Sequence, residues 1–161
     1  MSGPNLTLIT ELQTLVRRDF GFTDPTLLQP LNANPVVDGE WLELDGSYKL
    51  IRGAPGGTNN EGIQPMVFPL FTERGRYDTQ AIGKGTVLML GMYEAETTIL
   101  DTTSIVLGSP LTVADVTISS LTKRGLRLEG AVSGRVIVGF ASKLFPGSTK
   151  VRFVHFGNQK R

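Results

Sequence analysis

Four carboxylates crowd residues 38–45, and they are the side chains of this chain best suited to hold a metal ion. Asp38, Glu40, Glu43 and Asp45 offer hard oxygen ligands, which Ca²⁺ prefers. Their spacing does not match the Asp-x-Asp-x-Asp-Gly loop of a calcium-binding hand. The alternative is an ordinary solvated, acidic end of a β-strand. We expect the second arrangement, and we predict no metal site and no cofactor.

Nucleophilic catalysis by a Ser-His-Asp triad would depend on His155, which is the only histidine in a chain without cysteine. This histidine lies in the predicted strand Val151–Phe156, beside Phe153. A lone histidine in such a strand is usually a packing or surface residue. The glycine-rich stretch 54–62 is not a phosphate-binding loop, because the required Lys-Ser/Thr pair is missing. The sequence therefore favours a binding or structural protein over an enzyme.

The net charge of +1 conceals an uneven distribution along the chain. Residues 1–119 carry 14 acidic and 7 basic side chains, whereas residues 120–161 carry 1 acidic and 9 basic side chains. Clustered cations bind polyanions by releasing condensed counterions, which leaves nucleic acid open as a partner. Few aromatic residues are interleaved for base stacking, however. We expect these cations to pair with acidic strands of the same or a neighbouring subunit.

Length and composition fit one soluble domain. A chain of 161 residues can bury about two-thirds of the surface that its unfolded form exposes. The lack of cysteine fits synthesis in a reducing cytoplasm. No apolar run approaches the roughly 20 residues of a membrane span. Residues 1–4 do not resemble the start of a signal peptide, so we expect no export signal.

Residues 1–33 are predicted to form an arm that precedes a β-rich domain of residues 34–161. A short helix is expected over Thr7–Arg18, followed by a stop at Gly21. Its apolar face would consist of Leu8, Leu12, Leu15 and Val16. Two X-Pro pairs then favour an extended connector over Thr23–Asn34. An apolar connector requires a partner surface, and its exposed members would be Leu27, Leu28 and Leu31.

From residue 34 onward, short apolar stretches alternate with turn residues, which is typical of β-strands. Trp41–Leu44 alternates like a strand, Asp45-Gly46 is a hairpin turn, and Ser47–Arg52 returns. We expect Trp41 to lie in the core. The predicted strands are Glu40–Leu44, Tyr48–Arg52, Met66–Phe71, Gln80–Ile82, Val87–Tyr93, Thr97–Leu100, Leu111–Val113, Leu126–Glu129, Arg135–Lys143 and Lys150–Phe156. With 19 glycines and 9 prolines, this pattern predicts an all-β barrel or sandwich.

Two of these strands carry apolar side chains on both faces. In Thr86–Tyr93 and Val136–Ala141, both faces therefore need cover. One face would line the interior of the barrel, and the other would contact another subunit or the N-terminal segment. The pattern is equally consistent with central strands of a self-contained sandwich.

Two blocks of the sequence resemble the small capsid decoration proteins, also called cement proteins, of tailed bacteriophages. They are Asn34–Gly53, NPVVDGEWLELDGSYKLIRG, and Phe68–Leu90, FPLFTERGRYDTQAIGKGTVLML. The resemblance implies a compact, β-tulip-like domain of many short antiparallel strands. It also implies that an N-terminal arm lies on the major capsid protein, on the outer surface of the expanded phage head. Such proteins stabilise the head, and they often assemble as a homo-oligomer, either a dimer or a trimer.

The resemblance also suggests which residues contact the capsid or a neighbouring subunit. They are the apolar Leu27, Leu28 and Leu31 and the basic Arg17, Arg18, Arg74 and Arg76. For the last two, the alternative is a local turn at Gly75 whose charged residues satisfy one another. Two other functions remain open. One is a head-to-tail connector or tail component, and the other is a β-barrel module that binds nucleic acid or glycan through the basic C-terminal third.

Overall fold

The computed structural model describes residues 5–10, 15–29, 31–53, 67–71, 83–130, 136–157 and 159–160, and the structural statements below concern these ranges. The chain is mostly β-strand, as predicted, and it contains almost no helix. One short 3₁₀ helix spans Pro25–Leu28. The strands are β1 (Leu6–Leu8), β2 (Val16–Gly21), β3 (Trp41–Leu44), β4 (Leu50–Ile51), β5 (Val67–Pro69), β6 (Lys84–Leu90), β7 (Tyr93–Thr97), β8 (Pro110–Ile118), β9 (Leu121–Leu128), β10 (Val136–Leu144), β11 (Val151–His155) and β12 (Gln159–Lys160).

The strands form three antiparallel sheets. The largest has the order β1-β7-β11-β10-β8-β9, with β12 also paired to β10. A second sheet consists of β2 and β6, and a third has the order β4-β3-β5. Within the described ranges this pairing is linear and does not by itself close a barrel.

Strands β3 and β6 lie between two hydrophobic clusters. The larger cluster, called here the main core, is built around Trp41, Phe153 and Leu126, which are all fully buried. The smaller cluster, the second core, contains Leu42 of β3 and Val87 of β6. Adjacent residues of these strands point the other way, because side chains alternate across a strand. Trp41 and Leu88 therefore lie in the main core, and Trp41 is 0% exposed, as expected of a core residue.

Residues of the same chain cover both apolar faces of β6. Val87 is 0% exposed and Leu88 is 1% exposed, and both are covered by residues of the same chain. The cover of Val87 includes Phe22, Leu27 and Leu28, so the N-terminal segment packs on this face of β6, as one of the expectations held. In β10, Val136 and Val138 are buried in the main core, whereas Phe140 on the strand is only half-buried.

The predicted helix over Thr7–Arg18 is wrong at both of its described ends. Leu6–Leu8 forms β1, which pairs with β7 in the largest sheet. Val16–Gly21 forms β2, which pairs with β6. A helical pattern of apolar residues is a local signal, and these two pairings with strands far along the chain override it. The residues between the two strands, 11–14, lie outside the described ranges.

Most predicted strands are present, although several have other ends. The predicted strand Val87–Tyr93 is divided at Gly91, which has φ of 110°, into the end of β6 and the start of β7. The β8–β9 hairpin extends well beyond the predicted Leu111–Val113 and Leu126–Glu129. The predicted strand Gln80–Ile82 lies outside the described residues.

Candidate functional site

The predicted connector is not extended throughout, because Asp24 starts a 3₁₀ helix. Its carboxylate accepts hydrogen bonds from the backbone N–H of Thr26 at 3.0 Å and from the Thr26 hydroxyl at 2.7 Å. Pro25 occupies the first turn, where a missing N–H costs little. The hydrogen bonds from Thr26 lower the pKa of the Asp24 carboxyl, which keeps it an acceptor.

The helix changes the exposure of two of the three predicted anchor residues. Leu27 and Leu28 are half-buried and pack against the second core, so the expectation that they lie exposed on the connector is wrong. The backbone O of Leu27 also accepts a hydrogen bond from the N–H of Val36 at 2.9 Å. The connector is thus folded back on itself and attached to the domain.

Leu31 is placed as predicted, with 96% of its surface exposed. Described residues near it make hydrogen bonds. The Asn32 side-chain amide donates to the backbone O of Thr26 at 3.1 Å, and the Asn34 amide donates to the backbone O of Thr122 in β9 at 2.8 Å. Leu31 is therefore an apolar side chain that is held in solvent on an anchored turn.

The two predicted arginines of the arm lie on β2 rather than on a helix. Arg18 is exposed, and its Cα pairs with that of Val87 in β6. Arg17 is half-buried and lines a small polar cleft with Asp19 and Thr86. The Thr86 hydroxyl donates to the Asp19 carboxylate at 2.6 Å, which orders that cleft. The other two predicted arginines, Arg74 and Arg76, lie outside the described residues.

A buried ionic cluster lies behind the connector, with Glu40 at its centre. This carboxylate is 0% exposed. It accepts hydrogen bonds from the Arg52 guanidinium at 2.9 and 3.1 Å, from the Val37 N–H at 2.8 Å and from the Arg124 N–H at 3.1 Å. The expectation of a solvated acidic strand end is therefore wrong for Glu40.

Two neighbouring basic residues of β9 complete the cluster. The Lys123 ammonium lies 3.9 Å from the Glu40 carboxylate and donates to the backbone O of Pro35. Burial lowers the pKa of Lys123, and the charge of Glu40 opposes that shift. The Arg124 guanidinium pairs with Asp115 at 3.0 Å and with Glu43 at 3.3 Å.

The cluster joins the connector to the largest sheet. Arg52 Nη1 also donates to the backbone O of Asn34 at 2.8 Å, so Glu40, Arg52 and Lys123 together hold residues 34 and 35 against β9. Charges that are paired and hydrogen-bonded in this way can be buried at a tolerable cost in free energy. The segment that follows Leu31 is therefore attached to the largest sheet.

Several cations of the basic C-terminal third pair with carboxylates of the same chain. Pairing within one subunit was one of the two arrangements expected for them. Besides Lys123 and Arg124, both Lys150 and Arg152 contact Glu96, at 2.8 and 2.6 Å. These two cations lower the pKa of the Glu96 carboxyl through their hydrogen bonds. Paired cations have fewer donors left for phosphate groups.

His155 is a packing residue, as expected. It is 4% exposed, and its ring stacks on Tyr93 with centroids 4.6 Å apart and planes at 16°. Its Nδ1 accepts a hydrogen bond from the Gly157 N–H at 3.3 Å. Burial raises the pKa of Tyr93, so the stacked phenol is neutral over the ordinary pH range.

Within the described ranges, no group of three or more carboxylate or histidine side chains is arranged to hold a metal ion. None of the helices in the described part of the chain has the length and apolar character needed to cross a membrane. Comparisons with protein-family models, with curated proteins and with solved structures find no match to this chain.

Proposed function

We propose that this chain is a capsid decoration protein, which binds the outer surface of the expanded head of a tailed phage and stabilises the lattice of the major capsid protein. The observation that carries the proposal is Leu31, an apolar side chain that is 96% exposed on an anchored turn. A large apolar residue in this position is suited to fill a pocket of a partner. We further propose that the three sheets wrap around the two cores as a small barrel or sandwich.

The rigidity of the turn matters for affinity. A residue that is already held in its bound position loses little conformational entropy when the partner binds. Arg18 is exposed on β2 and adds a cation that can form a bidentate pair with a capsid carboxylate. In this proposal the binding surface consists of Leu31 and Arg18 and belongs to the folded domain. Leu27 and Leu28 support the turn from below.

Such a protein acts by adding many equivalent contacts to the shell. A standard interface buries about 1,600 Å² in total. Even when one such contact is modest, a shell that carries many copies gains resistance to internal pressure, because the free energies of the many contacts add across the lattice.

Of the two other functions, binding to nucleic acid has the weaker support. Lys123 and Arg124 are 4% and 3% exposed, and Lys150 and Arg152 share the carboxylate of Glu96. A connector or tail component would present an exposed apolar residue as well. It would differ from a decoration protein by assembling into rings or tubes without shells.

The test is co-sedimentation of the purified protein with empty capsids from the same phage genome, both expanded shells and unexpanded procapsids. We expect saturable binding to expanded shells alone. The substitution Leu31→Asp is expected to weaken binding at least tenfold, because a charge would enter an apolar contact. Met92→Asp is the matched control, since Met92 is 64% exposed and lies before β7.

Three results would contradict the proposal. The first is that the wild-type protein binds neither kind of shell. The second is that it forms rings or tubes by itself, as a connector or tail component does. The third is that Leu31→Asp binds to shells as well as Met92→Asp does. The first two reject the role in decoration, and the third rejects Leu31 as the anchor. Circular dichroism of each variant confirms that it is folded.

A further inference from the structure

A second apolar feature projects from the loop between β7 and β8. Val106 is 61% exposed and Leu107 is 66% exposed. We name this pair the apolar ridge. Exposing two adjacent large aliphatic residues to solvent costs free energy, and burial against a partner would recover it.

The loop that carries the ridge is well ordered by hydrogen bonds on both sides. The Val106 N–H donates to the Ser109 hydroxyl at 2.9 Å, and the Ser109 N–H donates back to the backbone O of Val106 at 3.0 Å. The Gly108 N–H donates to the backbone O of Ala141 in β10 at 2.8 Å. The ridge is therefore preorganised and attached to the largest sheet.

An apolar groove lies directly beside the ridge. Its walls include Leu100, Ile105, Leu144, Phe145, Pro146 and Val151. The volume of the groove is about 230 Å³. This is below the roughly 300–1,000 Å³ that is typical of small-molecule pockets, and it suits one or two aliphatic side chains.

Charged groups of both signs border the groove. Over the Phe145 ring lie the ammonium groups of Lys143, 5.1 Å from the centroid, and Lys150, 4.1 Å from it. In the loop that carries the ridge, Asp101 is exposed and lies between Leu100 and Thr102, which line the groove. Hydrogen bonds from Thr103 lower the pKa of the Asp101 carboxyl, so that it is negatively charged at neutral pH.

We propose that this face is the contact between two copies of the chain. The ridge of each copy fills the groove of the other around a two-fold axis, with Asp101 of each copy near the basic rim of the opposite groove. A knob and a matching hole side by side on one face are what a two-fold interface requires, because the same patch must complement itself. This inference deepens the proposed assembly role, and it rests on that role only for the expectation that the protein self-associates.

The test is sedimentation velocity of the full chain over a range of concentrations, without shells. We expect the wild-type protein to form a dimer of two 17.4 kDa chains. Leu107→Lys places a cation in the basic groove, and it should raise the dissociation constant of the dimer at least tenfold. Met92→Lys is the matched control, because Met92 has a similar exposed fraction of 64%. It should leave the dimer unchanged.

A mixture of two variants tests the reciprocal contact. Phe145→Asp removes a wall of the groove and adds an anion, and by itself it should dimerise as weakly as Leu107→Lys. When the two variants are mixed, one contact has a native ridge and a native groove, and the other pairs the new cation with the new anion. The mixture should therefore form heterodimers, which a general loss of folding cannot produce.

Four results would overturn the proposal. They are a monomeric wild-type protein, a wild-type assembly larger than a dimer, an unchanged dimer for Leu107→Lys, and no heterodimer in the mixture of the two folded variants. Because shells are absent from these measurements, a failure here leaves the binding of Leu31 to capsids unaffected. Equally, a dimer that does not bind shells rejects only the decoration role.

Discussion

The substitution Glu40→Gln tests whether the buried ionic cluster holds the connector and the two cores together. Glutamine has nearly the same shape as glutamate, so the substitution removes charge without leaving a cavity. In the native protein the Glu40 carboxylate accepts four hydrogen bonds and is 0% exposed. The amide can keep its oxygen as an acceptor, but its NH₂ group must face N–H donors. Arg52 and Lys123 would also be left without their buried counter-charge.

The size of the effect follows from that environment. Removing one partner of a buried pair destabilises proteins by about 3–5 kcal/mol, because the other charge remains buried and uncompensated. Typical domains have a free energy of unfolding of about 5–15 kcal/mol. We therefore expect Glu40→Gln to lose a large share of the stability of the protein. With a urea m-value of about 2 kcal/mol per M, the unfolding midpoint should fall by roughly 2 M.

Urea unfolding followed by circular dichroism and by Trp41 fluorescence measures this change. Glu94→Gln is the control, because Glu94 is half-buried and its carboxylate accepts a hydrogen bond from the Ser142 hydroxyl at 2.9 Å. It should cost less than about 1 kcal/mol. If Glu40→Gln and Glu94→Gln unfold at similar urea concentrations, the buried cluster does not stabilise the fold as argued here.

Three further predictions concern other parts of the fold. Gly125→Ala should destabilise the protein by about 1–3 kcal/mol in urea unfolding, because the new Cβ would overlap the backbone O of Ile99 and lie 2.6 Å from Cγ2 of the buried Val116. Gly46→Ala is the control, because a Cβ there meets no atom within 4 Å, and it should be near neutral. Because folding lowers the pKa of the Glu96 carboxyl, this group contributes stability above its unfolded pKa of 4.5, and the contribution is lost as the pH falls through the folded pKa. In Glu96→Gln the free energy of unfolding should therefore fall less steeply with acid. Equal acid sensitivity of the variant and the wild-type protein would contradict this expectation. The double substitution Ser119→Asn and Ser120→Gly should raise the midpoint of thermal unfolding. The reason is that φ is 49° at Ser119 and 66° at Ser120, a conformation that Asn and Gly adopt more readily than Ser. A lower midpoint would refute this turn geometry.

Local sequence signals predicted that a β3–β4 hairpin exists, but not the length of its turn. Leu44 pairs with Leu50, so the return strand is Leu50–Ile51 instead of the predicted Ser47–Arg52. Asp45-Gly46 marks the turn, and the Asp45 carboxylate accepts hydrogen bonds from the N–H groups of Ser47 and Lys49 at 2.8 and 2.9 Å. The alternation around Trp41 likewise predicted a buried residue. These features depend on residues a few positions apart, so the sequence contains the necessary information in one place.

The β8–β9 hairpin was underestimated because its turn has an unusual composition. Both Ser119 and Ser120 have positive φ, a conformation in which Asn and Gly are the usual residues. Two serines give no such signal. The charged residues of β9 added to the difficulty, since Lys123 and Arg124 are typical of exposed positions, although they are buried by pairing here.

The predicted exposure of the three connector leucines was correct only for Leu31. Leu27, Leu28 and Leu31 are the same residue type within five positions, yet only Leu31 is fully exposed. The helix started by Asp24 turns the other two toward the second core. The buried state of Glu40 was equally hidden, because one of its donors is 84 positions away in the sequence.

The pairing of the first strand also determines when the protein can fold during synthesis. β1 pairs with β7, and β7 in turn pairs with β11, which ends at His155. At about 5–20 residues per second, the ribosome needs roughly 7–30 s to make the chain between β1 and the end of β11. Throughout that time β1 lacks the complete largest sheet, whereas the two smaller sheets can already form. Completion of the largest sheet therefore comes later than the pairing of β2 with β6 and of β3 with β5.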